Sequence, residues 1–401
     1  MGDAPFGPEP DLPSSEALAA AWRAALVRGR PAVTTGLLLA VIAKEHADLR
    51  DRLPGLTADA LGADASTGQS AGPAERPGAA VRQPAAGGAD SGRAVDVAHG
   101  PGAASLREAR WWVLRNLSGR DRAHADAGGD PVWSAGLRTA LAEAAAQAGD
   151  GGWIGIGVLA AAALRHPDPE LTAWAAAAGA DLPGIARAVR SAPGSAVEPY
   201  TPMLGMLTPL QALDPPLPAP LRLLTGFVAR RVGRDPRWGG PVLPNLESEV
   251  LRQAVRAGHD RVTTEALLLA VLSLDAQLAA GGVRLAERFR AHNRGGELLR
   301  AAGLPAAPEP ADGAEPGDVL GPEETARRLW SGGRPGDPVW GRRVIDALDR
   351  AGELARAAGH SDIGTTHVLA AALDDAESAA VRWLHDLGVD TVRLRQSASW
   401  S

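Results

Sequence analysis

The segment Asp337-Pro338-Val339-Trp340, with Gly359-His360-Ser361-Asp362-Ile363-Gly364-Thr365-Thr366-His367-Val368-Leu369-Ala370-Ala371-Ala372-Leu373 downstream, decides how the chain is read. A helical run lies between the two parts, and a second run follows, ending in Leu387-Gly388-Val389-Asp390. Glycine after a helix suits a left-handed C-cap, where a Cβ would clash. A helix that is apolar all round is expected to be buried.

Weaker forms of this pattern occur three more times upstream, as aligning Val33, Ile154, Val262 and Ile363 shows. The following positions are mostly apolar or small in all four copies, with Glu265 and His367 as exceptions. Gly29, Gly258 and Gly359 each sit four residues before the aligned Val or Ile, and Gly149 sits five before. Asp130-Pro131-Val132-Trp133 opens the second copy as Asp337 to Trp340 opens the fourth, which makes copies three and four a repetition of one and two. Trp133 and Trp340 are expected as core anchors. Thr35, Thr264 and Thr365 stand where an N-cap of the buried helix would be. Such units cannot each close a core and must pack in pairs.

Composition agrees with an all-α fold. Alanine and leucine, both strong helix formers, dominate the 45% of hydrophobic residues, while there are 3 Phe and 1 Tyr. The expected layout is a flexible tail over 1–13, a first domain over 14–190 with a disordered insertion at 62–104, a proline-rich linker over 191–220, and a second domain over 221–401. In the first domain, Ser14 or Ser15 is expected to cap the opening helix. The insertion and linker readings rest on Gly, Ala, Pro and Ser runs that bury too little apolar surface to offset ordering.

The arrangement helix, Gly-His, Ile-Gly-Thr-x-His-x-Leu, helix, Leu-Gly-Val-Asp resembles the amino-terminal repeat domain of Clp-type AAA+ unfoldases. The fourth copy carries the resemblance through Gly359, His360, Ile363, Gly364, Thr365, His367 and Leu369, and the third through Gly258, His259, Thr264, Glu265 and Leu267 to Leu269. The resemblance implies two tandem helical domains of four repeat units in two pairs. It also implies that His360 packs at a helix end and that His367 helps seat the buried helix. In related domains that recognise phosphoarginine-tagged proteins, the Glu of Gly-Thr-Glu-His contacts the marked residue. The matching positions here are Gly36, Gly157, Glu265 and Thr366, of which only Glu265 keeps a carboxylate. Glu265 and Thr366 are therefore the candidate binding residues, with helix-terminus stabilisation the plainer role for Glu265.

The chemistry that is missing narrows the function. A phosphate-binding loop needs Gly-Lys-Ser/Thr, and the single lysine, Lys44, lies between Ala43 and Glu45, so no ATPase of that type is expected within this sequence. Gly68-Gln69-Ser70-Ala71-Gly72 matches a nucleophile elbow but lies in the insertion, without the strand and helix such an elbow needs. The 9 His show no His-Glu-x-x-His and there is no Cys, so neither a metal nor a cofactor is expected, although His360 and His367 can approach each other across a turn. Asp374-Asp375-Ala376-Glu377 reads as helix-start carboxylates. A net charge of -6 argues against nucleic acid in spite of the basic group Arg230, Arg231, Arg234 and Arg237. No signal peptide or 18-residue apolar span is visible, so a cytoplasmic protein with no membrane partner is expected. The leading reading is a non-enzymatic protein- or peptide-binding module whose partner is a client protein, a peptide or a Clp protease component. The alternative is a small-molecule-binding regulatory or sensor protein on the same fold.

Overall fold

The computed structural model describes residues 8–62, 102–119, 121–123, 129–149, 152–191, 199–210, 212–214, 240–305, 315 and 317–398. It is built from helices joined by two-residue strands. The first half holds β1 (Glu9–Pro10), α1 (Leu12–Val27), β2 (Ala32–Val33), α2 (Thr35–Glu45), α3 (Ala47–Arg52), α4 (Ala103–Asn116), β3 (Val132–Trp133), α5 (Ala135–Ala148), β4 (Trp153–Ile154), α6 (Ile156–Arg165), α7 (Pro169–Ala178) and α8 (Leu182–Arg190). The second half opens with α9 (Pro202–Leu207), β5 (Leu213–Asp214), α10 (Leu243–Ala257), β6 (Arg261–Val262), α11 (Thr264–Ala280), β7 (Arg284–Leu285), α12 (Glu287–Arg290) and α13 (Gly295–Ala301). It ends with α14 (Pro322–Arg328), β8 (Val339–Trp340), α15 (Arg342–Ala357), α16 (Thr365–Ala372), α17 (Ala379–Asp386) and α18 (Thr391–Ala398).

A long helix, a glycine turn and a buried helix recur four times, as α1/α2, α5/α6, α10/α11 and α15/α16. Gly29, Gly149, Gly258 and Gly359 all have positive φ, between 61° and 81°. In three of these turns the residue after glycine donates its N–H five residues back, from Arg30 to Ala25, His259 to Ala254 and His360 to Ala355, each at 2.9 Å. The repeated Val-Trp has a structural reason. β2 pairs in parallel with β3, setting Val33 against Trp133, and β6 pairs in parallel with β8, setting Val262 against Trp340. Each Val-Trp therefore ties the segment before α5 or α15 to the segment before α2 or α11. Trp340 is buried at 1% exposure, and Trp133 packs half-buried against the first core.

Several boundaries differ from those expected. Asp11, not Ser14 or Ser15, caps α1, accepting the Ser14 N–H at 2.9 Å. Part of the expected tail is thus built in, since β1 also pairs with β4. The caps of α2 and α11 are Thr34 and Thr263, one residue earlier than expected, and Gly364 occupies the cap position of α16. Within the stretch read as a linker, α9 starts on Pro202, where a missing N–H costs nothing, and Thr201 caps it. Within the expected insertion, Gly62 closes a 3-10 turn and Ala103 and Ala104 belong to α4. Residues 63–101, the Ser70 motif and the Arg230 to Arg237 group lie outside the described residues.

Two apolar cores result, and α4 serves both. Its Leu106, Ala109 and Val113 enter the first core, while Ala104 and Trp111 enter the second. Among the described residues no helix is long and apolar enough to cross a membrane.

Candidate functional site

The two candidate binding residues lie inside the molecule. Glu265, in the first turn of α11, is 1% exposed, and Thr366, in the first turn of α16, is 5% exposed. The Thr366 hydroxyl accepts the Arg294 N–H at 2.9 Å, and its own N–H donates to the His292 carbonyl at 3.1 Å. Covering chain closes Gly36 as well, where a Cβ would stand 3.1 Å from Leu61, whereas Gly157 is half-buried, with the Val189 carbonyl 4.0 Å from where its Cβ would be. As the buried helices stand here, Glu265, Thr366 and Gly36 do not face a macromolecular ligand. They sit where the neighbouring segment seals a helix N-terminus.

Sealing is the task of the threonines after the caps. Thr35 gives both its N–H (2.6 Å) and its hydroxyl (3.0 Å) to Asp168, which also accepts from Ser134 at 2.9 Å. Thr264 does the same to Glu315, with N–H at 3.0 Å and hydroxyl at 2.6 Å, and Glu315 also accepts the Ala379 N–H at 2.9 Å. Thr365 donates its N–H to Asn293 at 2.9 Å, and its hydroxyl accepts from Gly295. A carboxylate or amide oxygen placed on a buried helix N-terminus satisfies orphan donors and meets the positive end of the dipole.

His360 and His367 do meet, and a third histidine joins them. Gly364 donates its N–H to His367 Nδ1 at 2.9 Å, so that nitrogen carries no proton. The proton of His367 then sits on Nε2, which donates to His360 Nδ1 at 2.9 Å. His292 stacks on both rings, with centroids at 5.2 and 5.9 Å. Burial, with His360 and His292 nearby, pushes His367 down to about 4, and burial lowers His292 too. A Cβ on Gly364 would collide with the His292 carbonyl, which gives that glycine its reason. His292 carries no sequence signal, because it lies in no repeat of the motif. Among the described residues no group of His, Asp and Glu is arranged to hold a metal ion. His259 is half-buried beside the Gly258 turn.

Charged groups join the halves. Arg252, 4% exposed, contacts Glu108 (2.6 Å), Glu249 (2.9 Å) and Glu9, and the fully buried Arg256 contacts Glu108 at 2.8 Å. Burial alone would raise the Glu9 carboxyl, but Arg252 and Arg256 together hold it below its ordinary range. A second buried pair, Arg115 and Asp337 at 2.7 Å, ties α4 to the residues just before β8.

A surface opening lies elsewhere, between α1 and α2. It is a groove of about 950 Å³ lined by Ala17, Ala20, Ala24, Ala40, Val41 and Leu56 among others. Glu16, Arg28, Lys44, Glu45, Arg50 and Asp59 stand along it, so both signs of charge are present.

Residues 341–399 match the family model of the Clp repeat (R) N-terminal domain. The match spans α15 through α18, the unit that holds the His360–His367 pair. No curated protein matches the chain.

Proposed function

We propose that this chain is a non-enzymatic protein- or peptide-binding module built from two tandem Clp-N-terminal-like domains of two units each. The observation that carries the reading is the family match over 341–399, on a helix–turn–helix unit whose geometry recurs at α1/α2, α5/α6 and α10/α11. The recurrence of positive-φ glycines and of parallel Val-Trp pairing supports extending the match to the other three units. The partner on this reading is a client protein, a peptide or a component of a Clp protease machine. Binding falls to open surface between helices, because the aligned positions Glu265 and Thr366 are enclosed.

The test is fluorescence anisotropy of labelled, unfolded casein titrated with the full chain, with the casein run on a gel afterwards. Saturable binding with intact casein is expected. Casein cleavage would overturn the non-enzymatic reading. Absence of binding to casein, and to purified Clp protease components in the same assay, would overturn the binding reading.

A further inference from the structure

The two halves differ in what covers their first helix pair. In the second half α9, from the same chain, packs on both α10 and α11. Its Met203, Leu204 and Leu207 are 0, 5 and 0% exposed and belong to the second core. Met203 donates its N–H to Gln277 on α11 at 2.8 Å, and Leu204 lies against Gly281, where a Cβ would collide with it. A helix of six residues is thus held by three apolar side chains at i, i+1 and i+4, and by one hydrogen bond.

The corresponding pair in the first half is α1/α2, matched through Gly29 with Gly258 and through the caps Thr34 and Thr263. Among the described residues, that pair carries the open groove. The side chains differ to suit. In the second half Glu249 accepts from Gln253 (2.6 Å) and Ser273 (2.7 Å), and Gln277 donates to Ser273 (3.0 Å), so polar groups tie α10 to α11. The positions aligned with Glu249, Gln253 and Ser273 are Ala20, Ala24 and Lys44, which line an apolar floor between charged edges, and those aligned with Gln277 and Gly281 are Asp48 and Arg52 on the adjoining α3.

We infer that the α1/α2 groove binds a short amphipathic helix of a partner protein, with Leu or Met at i, i+1 and i+4, as α9 lies on α10/α11. This rests on the proposed binding function and names the chemistry of the partner. Alanine side chains leave depth for longer apolar groups, and burying those groups is the driving term. The mixed charges along the groove suit the polar flanks of such a helix. They do not suit a polyanion, which a uniformly basic rim would attract.

The probe is a fluorescein-labelled peptide of the sequence from Pro199 to Leu210, titrated with the full chain and followed by anisotropy. Saturable binding is expected, weakened about tenfold or more by Ala20→Arg, which puts a long cation into the groove. Ala20 is exposed and arginine is a good helix former, so α1 persists, and circular dichroism checks this. A peptide with serine in place of Met203, Leu204 and Leu207 should bind at least about tenfold more weakly. Three results would each overturn the inference: no binding of the probe, equal binding by the Ala20→Arg chain, or equal binding of the serine peptide. Concentration-dependent self-association abolished by Ala20→Arg would place a second copy in the groove and also overturn it. A chain that binds casein yet ignores the peptide would sink the groove assignment alone and leave the binding function standing.

Discussion

The first and second halves seal the N-terminus of their first buried helix by the same chemistry from different places in the chain. In the first half the carboxylate is Asp168, directly before α7; in the second it is Glu315, in the segment that precedes α14. Both accept the N–H and the hydroxyl of the threonine that follows the cap. The need of a buried helix end for an acceptor outlasts the identity of the residue that meets it. The halves differ more sharply around their histidines. In the second half three imidazoles crowd together, whereas in the first His166 faces a carboxylate, Glu143, at 2.7 Å.

The largest effect is expected where the halves meet. Arg252→Met removes the cation that Glu9, Glu108 and Glu249 share and leaves Arg256 alone with Glu9 and Glu108, and breaking a buried ion network costs about 4 kcal/mol. Urea unfolding should shift to lower denaturant and separate into two transitions, one per half. A single unshifted transition would show that the network does not couple them.

Next comes the comparison of the seals. Asp168→Ala and Glu315→Ala each strand two or more buried donors, at about 3 kcal/mol apiece. The two losses should agree within about 1 kcal/mol if the seals are equivalent, as thermal unfolding of the two variants would show. A neutral Glu315→Ala would separate the halves on this point.

The smallest effect concerns acid. His367 has a folded pKa of about 4, below its ordinary value of 6.5. Its contribution is fully present above pH 6.5 and is lost as pH falls from there through 4, about 2 kcal/mol of it by pH 4.5. Protonation would place a hydrogen on Nδ1, against the Gly364 N–H, and a charge beside His292 and His360, with Asp362 the nearby opposing anion. Glu247 runs the other way. Burial pushes it up to about 7, so its contribution is present below 4.5 and lost as pH rises through 7. Melting temperatures at pH 7 and pH 4.5 should fall less with acid in His367→Gln than in the parent chain. Equal falls would clear the histidines of any part in acid sensitivity.

Much of this architecture was legible in the sequence because backbone demands recur: positive-φ glycine, a threonine cap, an all-apolar helix, a paired Val-Trp. The sequence pattern sets these caps one residue late because threonine stands at two successive positions in Thr34-Thr35 and Thr263-Thr264, and only backbone geometry separates cap from first turn. α9 was hidden by its flanking prolines, which announce loops and first helical turns alike. The third histidine and the Arg252 network were illegible for another reason. His292 and Glu108 meet their partners through packing at long separation, which no local pattern encodes. Glu265 and Thr366 stand in the first turns of α11 and α16, and how deeply neighbouring segments cover those turns is a tertiary fact.

Glu9 and Arg252, which touch across a separation of 243 residues, bear on the order of assembly during synthesis. β1 leaves the ribosome well before α10, which carries the charged partners of Glu9. Until then Glu9 and Glu108 stay hydrated, and α4 shows Trp111 and Ala104 to solvent. The first half can gather its own core during translation, but its last polar contacts wait for the second. A ribosome stalled between α8 and α10 would therefore hold a nascent chain with an uncovered α4 face, which makes that interval the one in which a holdase would find it.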